Sequence, residues 1–246
     1  MKNELPIKYY RELLTSKGRK ENSAFIVEGV RQVEQFVKSD KMKILEILST
    51  KPLNFETKIP VTCINNSQLC KITESKTPNG VIAVVGIPKL NEINEKTTKG
   101  NILLLEDIQD PGNVGTLIRS AAAFGFSTVI LSRGCSDVYS PKVVRSTGGA
   151  ICNLEIISKK DIFECIEILK KQKYNLIVAD LSGNNKIPQN LSKNFIFALG
   201  NEGNGVSNKL KTLADFVFTI PINTSAIESL NVSAAGAIGM YILGGN

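Results

Sequence analysis

The chain predicts an α/β protein, with a C-terminal parallel-sheet domain preceded by a smaller α/β domain. Three observations carry that class. Short continuous apolar runs, ILLL (102–105), TVIL (128–131), NLIVA (175–179) and FIFAL (195–199), alternate with helix-spaced segments at βαβ distances. Three turns rich in glycine or asparagine, at 110–115, 200–205 and 221–231, lie at the ends of such runs, where ligand sites of open parallel sheets gather. A polar stretch over 87–100, nearly without apolar periodicity, separates the two parts.

The elements follow in order. In the first part, 24–28 reads as a strand, 30–37 has helical spacing, and 44–48 and 81–86 read as further strands. In the second, strands are predicted near 101–106, 127–132, 154–157, 175–180, 195–199 and 216–220. Helices are predicted near 114–124, 160–172, 206–213 and 230–243. The domains are therefore set at 1–90 and 101–246, with a linker at 91–100.

At 246 residues, 42% hydrophobic and 22% charged, the chain has the make-up of an ordinary globular protein. Residues 1–20 are polar and charged rather than a basic-then-apolar leader. The weakly polar run 232–245 is too short for a bilayer and carries four glycines, so it predicts a buried helix and a cytoplasmic protein without membrane contact. Cys63, Cys70, Cys135, Cys152 and Cys165 include no C-x-x-C pair, so reduced structural thiols and no metal site are expected. Histidine is absent, which excludes Ser-His-Asp and Cys-His catalysis and every imidazole acid or base.

The net charge of +7 is uneven. Residues 1–99 hold 17 Lys and Arg against 11 Asp and Glu, a net +6; residues 100–246 hold 13 against 12, a net +1. A basic first half points to a polyanion. Lys8, Arg11, Lys17, Arg19, Lys20 and Arg31, with Lys142 and Arg145 further on, are the candidate contacts to such a polyanion.

The turn at 110–115, Asp-Pro-Gly-Asn-Val-Gly, opens a helix, and Asn113 suits its cap. Only Gly112 and Gly115 are present, with no acid about 20 residues on, so the turn is not a dinucleotide loop; no Gly-Lys-Ser/Thr makes it a Walker loop. Arg119 is expected on the first or second turn of the helix, its side chain leaning back towards that loop. The second turn, Gly-Asn-Glu-Gly-Asn-Gly, sets Glu202 among glycines that permit close backbone approach. The third ends in Ser229-Leu230-Asn231 before a helix of small residues, and Ser229 or Asn231 could serve simply as its N-cap.

Together and in this order, DPGNVGTLIRSAAAFG, FALGNEGNGVS and IPI…ESLNVSAAGAIGMY resemble the three motifs of the SpoU/TrmH family of RNA ribose 2′-O-methyltransferases. YSPKVVRSTGGA (139–150) fits the same likeness. FIVEGVRQVEQFV is similar to the ribosomal-protein-like RNA-binding domain that many members carry first. The resemblance implies a deep trefoil knot of the SPOUT type, a homodimer, and S-adenosylmethionine as cofactor. It implies Asn113, Arg119, Glu202, Ser229 and Asn231 as the catalytic group. Cofactor contacts are implied at Leu199, Gly200, Asn201, Gly203, Ile220, Ile222 and Leu230. The substrate it implies is a structured RNA, ribosomal RNA ahead of transfer RNA. One departure stands at 223–227, where Asn-Thr-Ser-Ala-Ile replaces the glycine usual after Ile-Pro-x.

The implied reaction moves a methyl from a sulfonium to a ribose hydroxyl, and in-line positioning accounts for about 7–11 kcal/mol of such a barrier. The family picture makes the arginine a general base. A free arginine is effectively always protonated, and its neutral form costs on the order of 8 kcal/mol near pH 7. A charged Arg119 that clamps ribose and phosphate, positioned by Glu202, with the proton leaving late, is the reading preferred here. A non-catalytic RNA-binding protein on this fold, a base-directed knotted methyltransferase and a nicotinamide-dependent dehydrogenase are the competing classes. The last lacks its glycine fingerprint.

Overall fold

The computed structural model describes residues 7–39, 41–75, 77–89, 93, 99–186 and 194–244. Apart from Ile93, Lys99 and Gly100, the linker expected at 91–100 lies outside the described residues. Two compact units result, Met1–Lys89 with Asp137–Cys152, and Leu90–Ser136 with Asn153–Asn246.

The first unit contains α1 (Ile7–Glu12), α2 (Ser16–Asn22), β1 (Ala24–Glu28), α3 (Val30–Ser39), β2 (Ile44–Ser49), β3 (Val61–Cys63), α4 (Asn66–Lys71) and β4 (Val81–Gly86). Its sheet runs β1-β4-β2-β3, antiparallel except for the β2–β3 pair. Helices α1, α2 and α4 and strand β3 were not read from the sequence. They are short, and their signals are caps rather than apolar periods. Thr15 takes the Gly18 N–H ahead of α2, and Asn65 with Gln68 forms a reciprocal capping box on α4. Tyr10, Leu13, Ile26, Leu48, Leu69 and Ile82 share one core.

The second unit contributes β5 (Ile102–Leu105), α5 (Pro111–Ala123) and β6 (Thr128–Ser132). The chain then makes α6 (Pro141–Ser146) in the first unit before β7 (Glu155–Lys160), α7 (Ile162–Lys171), β8 (Asn175–Asn184), β9 (Phe195–Leu199), α8 (Asn208–Leu213), β10 (Phe216–Phe218) and α9 (Val232–Gly244). Segment 137–152 packs Phe25 of β1 against Tyr139, with ring centroids 4.8 Å apart. Its start is held by Arg19. That guanidinium is 4% exposed and donates to the Leu13 and Leu14 carbonyls at 3.0 and 2.8 Å and to Asp137 Oδ2 at 2.7 Å.

All neighbours in the second sheet, β10-β8-β9-β5-β6-β7, pair in parallel, as the continuous apolar runs require. β5, β6 and β9 are buried along their length. Helix α9 closes on α5 and β9 because Gly236 and Gly239 carry no side chain. A Cβ on Gly236 would overlap Leu117 and Leu199, and one on Gly239 would overlap the Phe197 ring. The small residues thus admit neighbouring side chains rather than backbone. The helix is not wholly buried either: Ile238, Tyr241 and Ile242 form an exposed apolar face. No helix among the described residues is long and apolar enough to cross a membrane.

Candidate active site

Strands β9 and β10 end at Leu199 and Phe218 against the later half of β8, and beside Ala179–Ser182 lies a cavity of about 530 Å³, within the usual range for ligand pockets. Apolar side chains of Leu199, Phe218, Ile220, Ile222 and Leu230 line it, beside the backbone of 200–205. That backbone is a closed loop: Asn201 and Gly205 form an isolated bridge, and Gly205 sits at φ +67°. The bend brings Gly205 and Val206 so near Gly200 that any Cβ there would overlap them. Asn201 Oδ1 takes the Gly203 and Asn204 N–H groups at 2.9 and 3.1 Å, and its Nδ2 donates to the Asp107 carbonyl at 2.9 Å.

Three carboxylates, Asp180, Glu202 and Glu228, also line this cavity. Burial acts to raise the Asp180 carboxyl, but Lys211, 2.5 Å away, and two hydrogen bonds from Ser182 outweigh it and hold its pKa below the usual carboxylate range.

The three turns are joined by one chain of hydrogen bonds. Glu202 Oε1 accepts from Asn113 Nδ2 and the Asp110 N–H, both at 3.1 Å, while Oε2 accepts the Gln109 N–H at 3.2 Å. Asn113 Oδ1 accepts from Asn231 Nδ2 at 3.1 Å. Asn231 Oδ1 then accepts the Ser233 N–H at 2.9 Å, capping α9. Burial raises the Glu202 carboxyl, yet the donors from Asn113, Asp110 and Gln109 overcome this and lower its pKa.

This geometry changes three expectations. Asn113 does not cap α5. Asp110 does, its carboxylate accepting the Asn113 N–H at 2.9 Å, and Pro111 fills the first helical position. The Asp-Pro pair was the available signal for Asp110. Because the helix starts at Pro111, Arg119 stands in its third turn rather than the first or second. Glu202 does not bond Arg119 but the start of α5. Arg119 is exposed and makes no hydrogen bond or ion pair with any described residue.

Of the remaining candidates, Leu199, Gly200, Asn201, Gly203, Ile220, Ile222 and Leu230 all line the cavity, as does Ser229. Sequence reading missed Asp180 and Phe218, since neither stands in a turn of unusual composition. The variant stretch 223–227 folds as a turn on Asn223, whose Oδ1 accepts from Ser225 N and Oγ at 3.2 and 2.6 Å. In the first unit, Lys8, Arg11, Lys17, Lys20 and Arg31 are exposed. Lys8 and Lys17 sit 3.9 and 3.8 Å from Glu12 and Glu21. Lys142 is exposed, and Arg145 lies 3.8 Å from Glu28. Arg19 is a correction: four of its five N–H donors are taken by Asp137 and two carbonyls, and at 4% exposure the guanidinium is out of reach of RNA.

Residues 100–241 match the SpoU rRNA Methylase family, and residues 4–83 match the MRM3-like substrate binding domain. The 23S rRNA (guanosine(2553)-2′-O)-methyltransferase RlmP of Bacillus subtilis is 32% identical over 97% of this chain and 96% of its own length. A putative RNA methyltransferase of the TrmH family from Porphyromonas gingivalis superposes with a TM-score of 0.84 at 30% identity, covering 96% of this chain and 97% of the other. The fold is also that of the SpoU methyltransferase AviRb from Streptomyces viridochromogenes, solved in complex with AdoMet, with a TM-score of 0.83 and 24% identity over 97% and 96% of the two chains. The resemblance read from the three turns is thereby borne out, and the chain belongs to the SpoU rRNA Methylase family.

Proposed function

We propose that the protein transfers a methyl group from S-adenosylmethionine to a ribose 2′-hydroxyl of ribosomal RNA. The observation that carries this reading is the hydrogen-bond chain from Glu202 through Asn113 to Asn231, which ties the first turn to the two turns that line the cavity and leaves Arg119 without a partner among the described residues. RlmP, similar over nearly the whole chain, supports the ribosomal substrate.

The cavity suits the cofactor in size and chemistry. Its apolar walls, Leu199, Phe218, Ile220, Ile222 and Leu230, match a purine, and Glu202 and Glu228 favour a cationic ligand, Asp180 being paired with Lys211. When bound, S-adenosylmethionine supplies an electrophilic methyl on a positively charged sulfur. The side chains of Leu199, Ile220, Ile222 and Leu230 exclude water, and the backbone of Gly200, Asn201 and Gly203 offers hydrogen bonds to the nucleoside. Glu202, Asn113 and Asn231 position the start of α5. Arg119 stays charged and holds ribose and phosphate, Ser229 orients the target hydroxyl, and the 2′-oxygen gives up its proton to solvent water late, as the methyl's bonding pair returns to the sulfur of the departing thioether.

Several finer features belong to this reading. Residues 1–90 serve to hold RNA and 101–246 to transfer the methyl group, in keeping with the match over 4–83 and the +6 charge of the first 99 residues. A trefoil knot in the C-terminal part is supported by β9 lying between β8 and β5, β10 returning to the outer edge of β8, and α9 turning back on α5. The exposed apolar face of α9, with Ile238, Tyr241 and Ile242, suits burial in a homodimer. A cytoplasmic location goes with this reading.

The test is transfer of labelled methyl from S-adenosylmethionine to unmodified 23S and 16S rRNA, followed by nucleoside analysis, beside Arg119→Ala. A 2′-O-methyl nucleoside that vanishes in the variant is expected. A base-methylated product, or cofactor binding without transfer to rRNA or tRNA, would overturn the reading.

A further inference from the structure

A buried carboxylate that methyl transfer does not use stands directly after β5. Glu106 is 8% exposed and makes no ion pair with a described residue. A carboxylate at that depth without a cation costs the fold more than an apolar side chain would. Its Oε2 accepts the Ser207 N–H at 2.7 Å, and its own N–H donates to the Leu199 carbonyl at 2.8 Å. Ser207 ends the loop that begins at Gly200. Its hydroxyl accepts the Leu210 N–H at 3.2 Å and caps α8.

The next residue holds the other end of the same loop. The Asp107 carbonyl accepts from Asn201 Nδ2 at 2.9 Å. Asp107 itself sits at φ +56°, a left-handed backbone that residues with a side chain rarely adopt. That conformation is fixed from the end of β6. The Asp107 N–H donates to Ser132 Oγ at 2.9 Å, and the Ser132 hydroxyl donates to Asp107 Oδ1 at 2.5 Å. Gly134 leaves room for this carboxylate, which a Cβ there would strike. Backbone strain held by its surroundings in this way clusters at functional sites. Between the two fastened ends, Glu202 accepts the Gln109 and Asp110 N–H groups.

On the reading that the cavity holds S-adenosylmethionine, we propose that Glu106 and Asp107 are positioning residues for the cofactor. They tie both ends of loop 200–207 to the end of β5, so the backbone of Gly200, Asn201 and Gly203 has its binding shape before the cofactor arrives. Neither is among the residues that line the cavity. Releasing a tie lets the loop open, and cofactor affinity falls with the fraction of molecules that stay closed.

The experiment uses the full chain. It measures calorimetric binding of S-adenosylhomocysteine, hydrogen exchange of the backbone amides over 201–207 without ligand, and urea unfolding. Glu106→Leu removes the acceptor but keeps the bulk; it should weaken binding about tenfold and speed exchange over 201–207 by a similar factor. Glu106→Gln keeps an acceptor oxygen at the same reach and should restore most of both. Asp107→Val, whose branched side chain opposes the left-handed backbone, should weaken binding more than Asp107→Gly, which permits it. A lower urea midpoint in Glu106→Leu with binding and exchange as in wild type overturns the proposal, since the carboxylate then only stabilises the fold. Equal losses in Glu106→Leu and Glu106→Gln overturn it too, because an acceptor for Ser207 would not be what matters. If the wild type binds S-adenosylhomocysteine yet methylates no RNA, the enzymatic reading fails, and binding and exchange still decide this one.

Discussion

Arg19 and Arg119 make the most instructive pair of regions in the molecule. Both are arginines on helices, and from sequence both are candidates to touch RNA. Arg19 is buried, and its guanidinium is taken up by two carbonyls and Asp137. Arg119 is exposed, with no partner among the described residues, although Glu202 and two asparagines are tightly bonded on the loops where its helix starts. A satisfied guanidinium holds a fold together. An unsatisfied one, on a helix whose start is fixed by the Asn113 and Asn231 amides, is available for a ligand.

The contrast can be broken at either end. Arg119→Ala should lower methyl transfer at saturating RNA by about 10²–10³-fold, the scale for losing one well-placed donor, with Tm unchanged. Arg19→Ala should do the reverse. Removing one partner of a buried pair costs about 3–5 kcal/mol, visible as a fall in urea midpoint, while the rate at low temperature stays near wild type. Arg19→Met/Asp137→Leu should recover only the part due to the lone carboxylate, because the Leu13 and Leu14 carbonyls still lose their donor.

A smaller effect sharpens the comparison through pH. The Glu202 carboxyl is held below its ordinary range by Asn113, Asp110 and Gln109, so its contribution to stability is present above the unfolded carboxylate value, near 4.3, and is lost as pH falls through the lower folded value. Glu202→Gln should therefore narrow its stability gap from wild type on acidification, followed by urea midpoints between pH 7 and pH 3. A wider gap at low pH would contradict the bonding described. The smallest effects belong to Lys8 and Lys17, whose exposed helical pairs with Glu12 and Glu21 contribute about 0.3–0.5 kcal/mol each at most. Lys17→Ala should leave Tm nearly unmoved.

Much of this was legible before any coordinates. The parallel strands announced themselves as continuous apolar runs, and the seven cofactor candidates converge on one cavity because they stand in turns at strand ends. What escaped was governed by contacts distant in sequence. Nothing around Arg19 in the chain shows that Asp137, 118 residues on, will bury it. Asp180 needs Lys211, and its place in β8 just past the pairing with β9, before it becomes a cavity carboxylate. The cap on α5 was within reach, since Asp110-Pro111 is a common helix opening, but Asn113 carries an equally good capping side chain and only the backbone chooses between them. Asn113 is instead the middle link between Glu202 and Asn231, which no spacing along the chain reveals.

The most direct test of the central claim is a single-turnover measurement of methyl transfer with RNA and S-adenosylmethionine both saturating, comparing wild type with Arg119→Lys. A charged guanidinium that grips ribose and phosphate with several donors in fixed directions is poorly replaced by an ammonium, so the rate should fall by about tenfold or more, with RNA affinity falling far less. A rate close to wild type would contradict it, because a positive charge alone would then suffice and the guanidinium would have no part of its own.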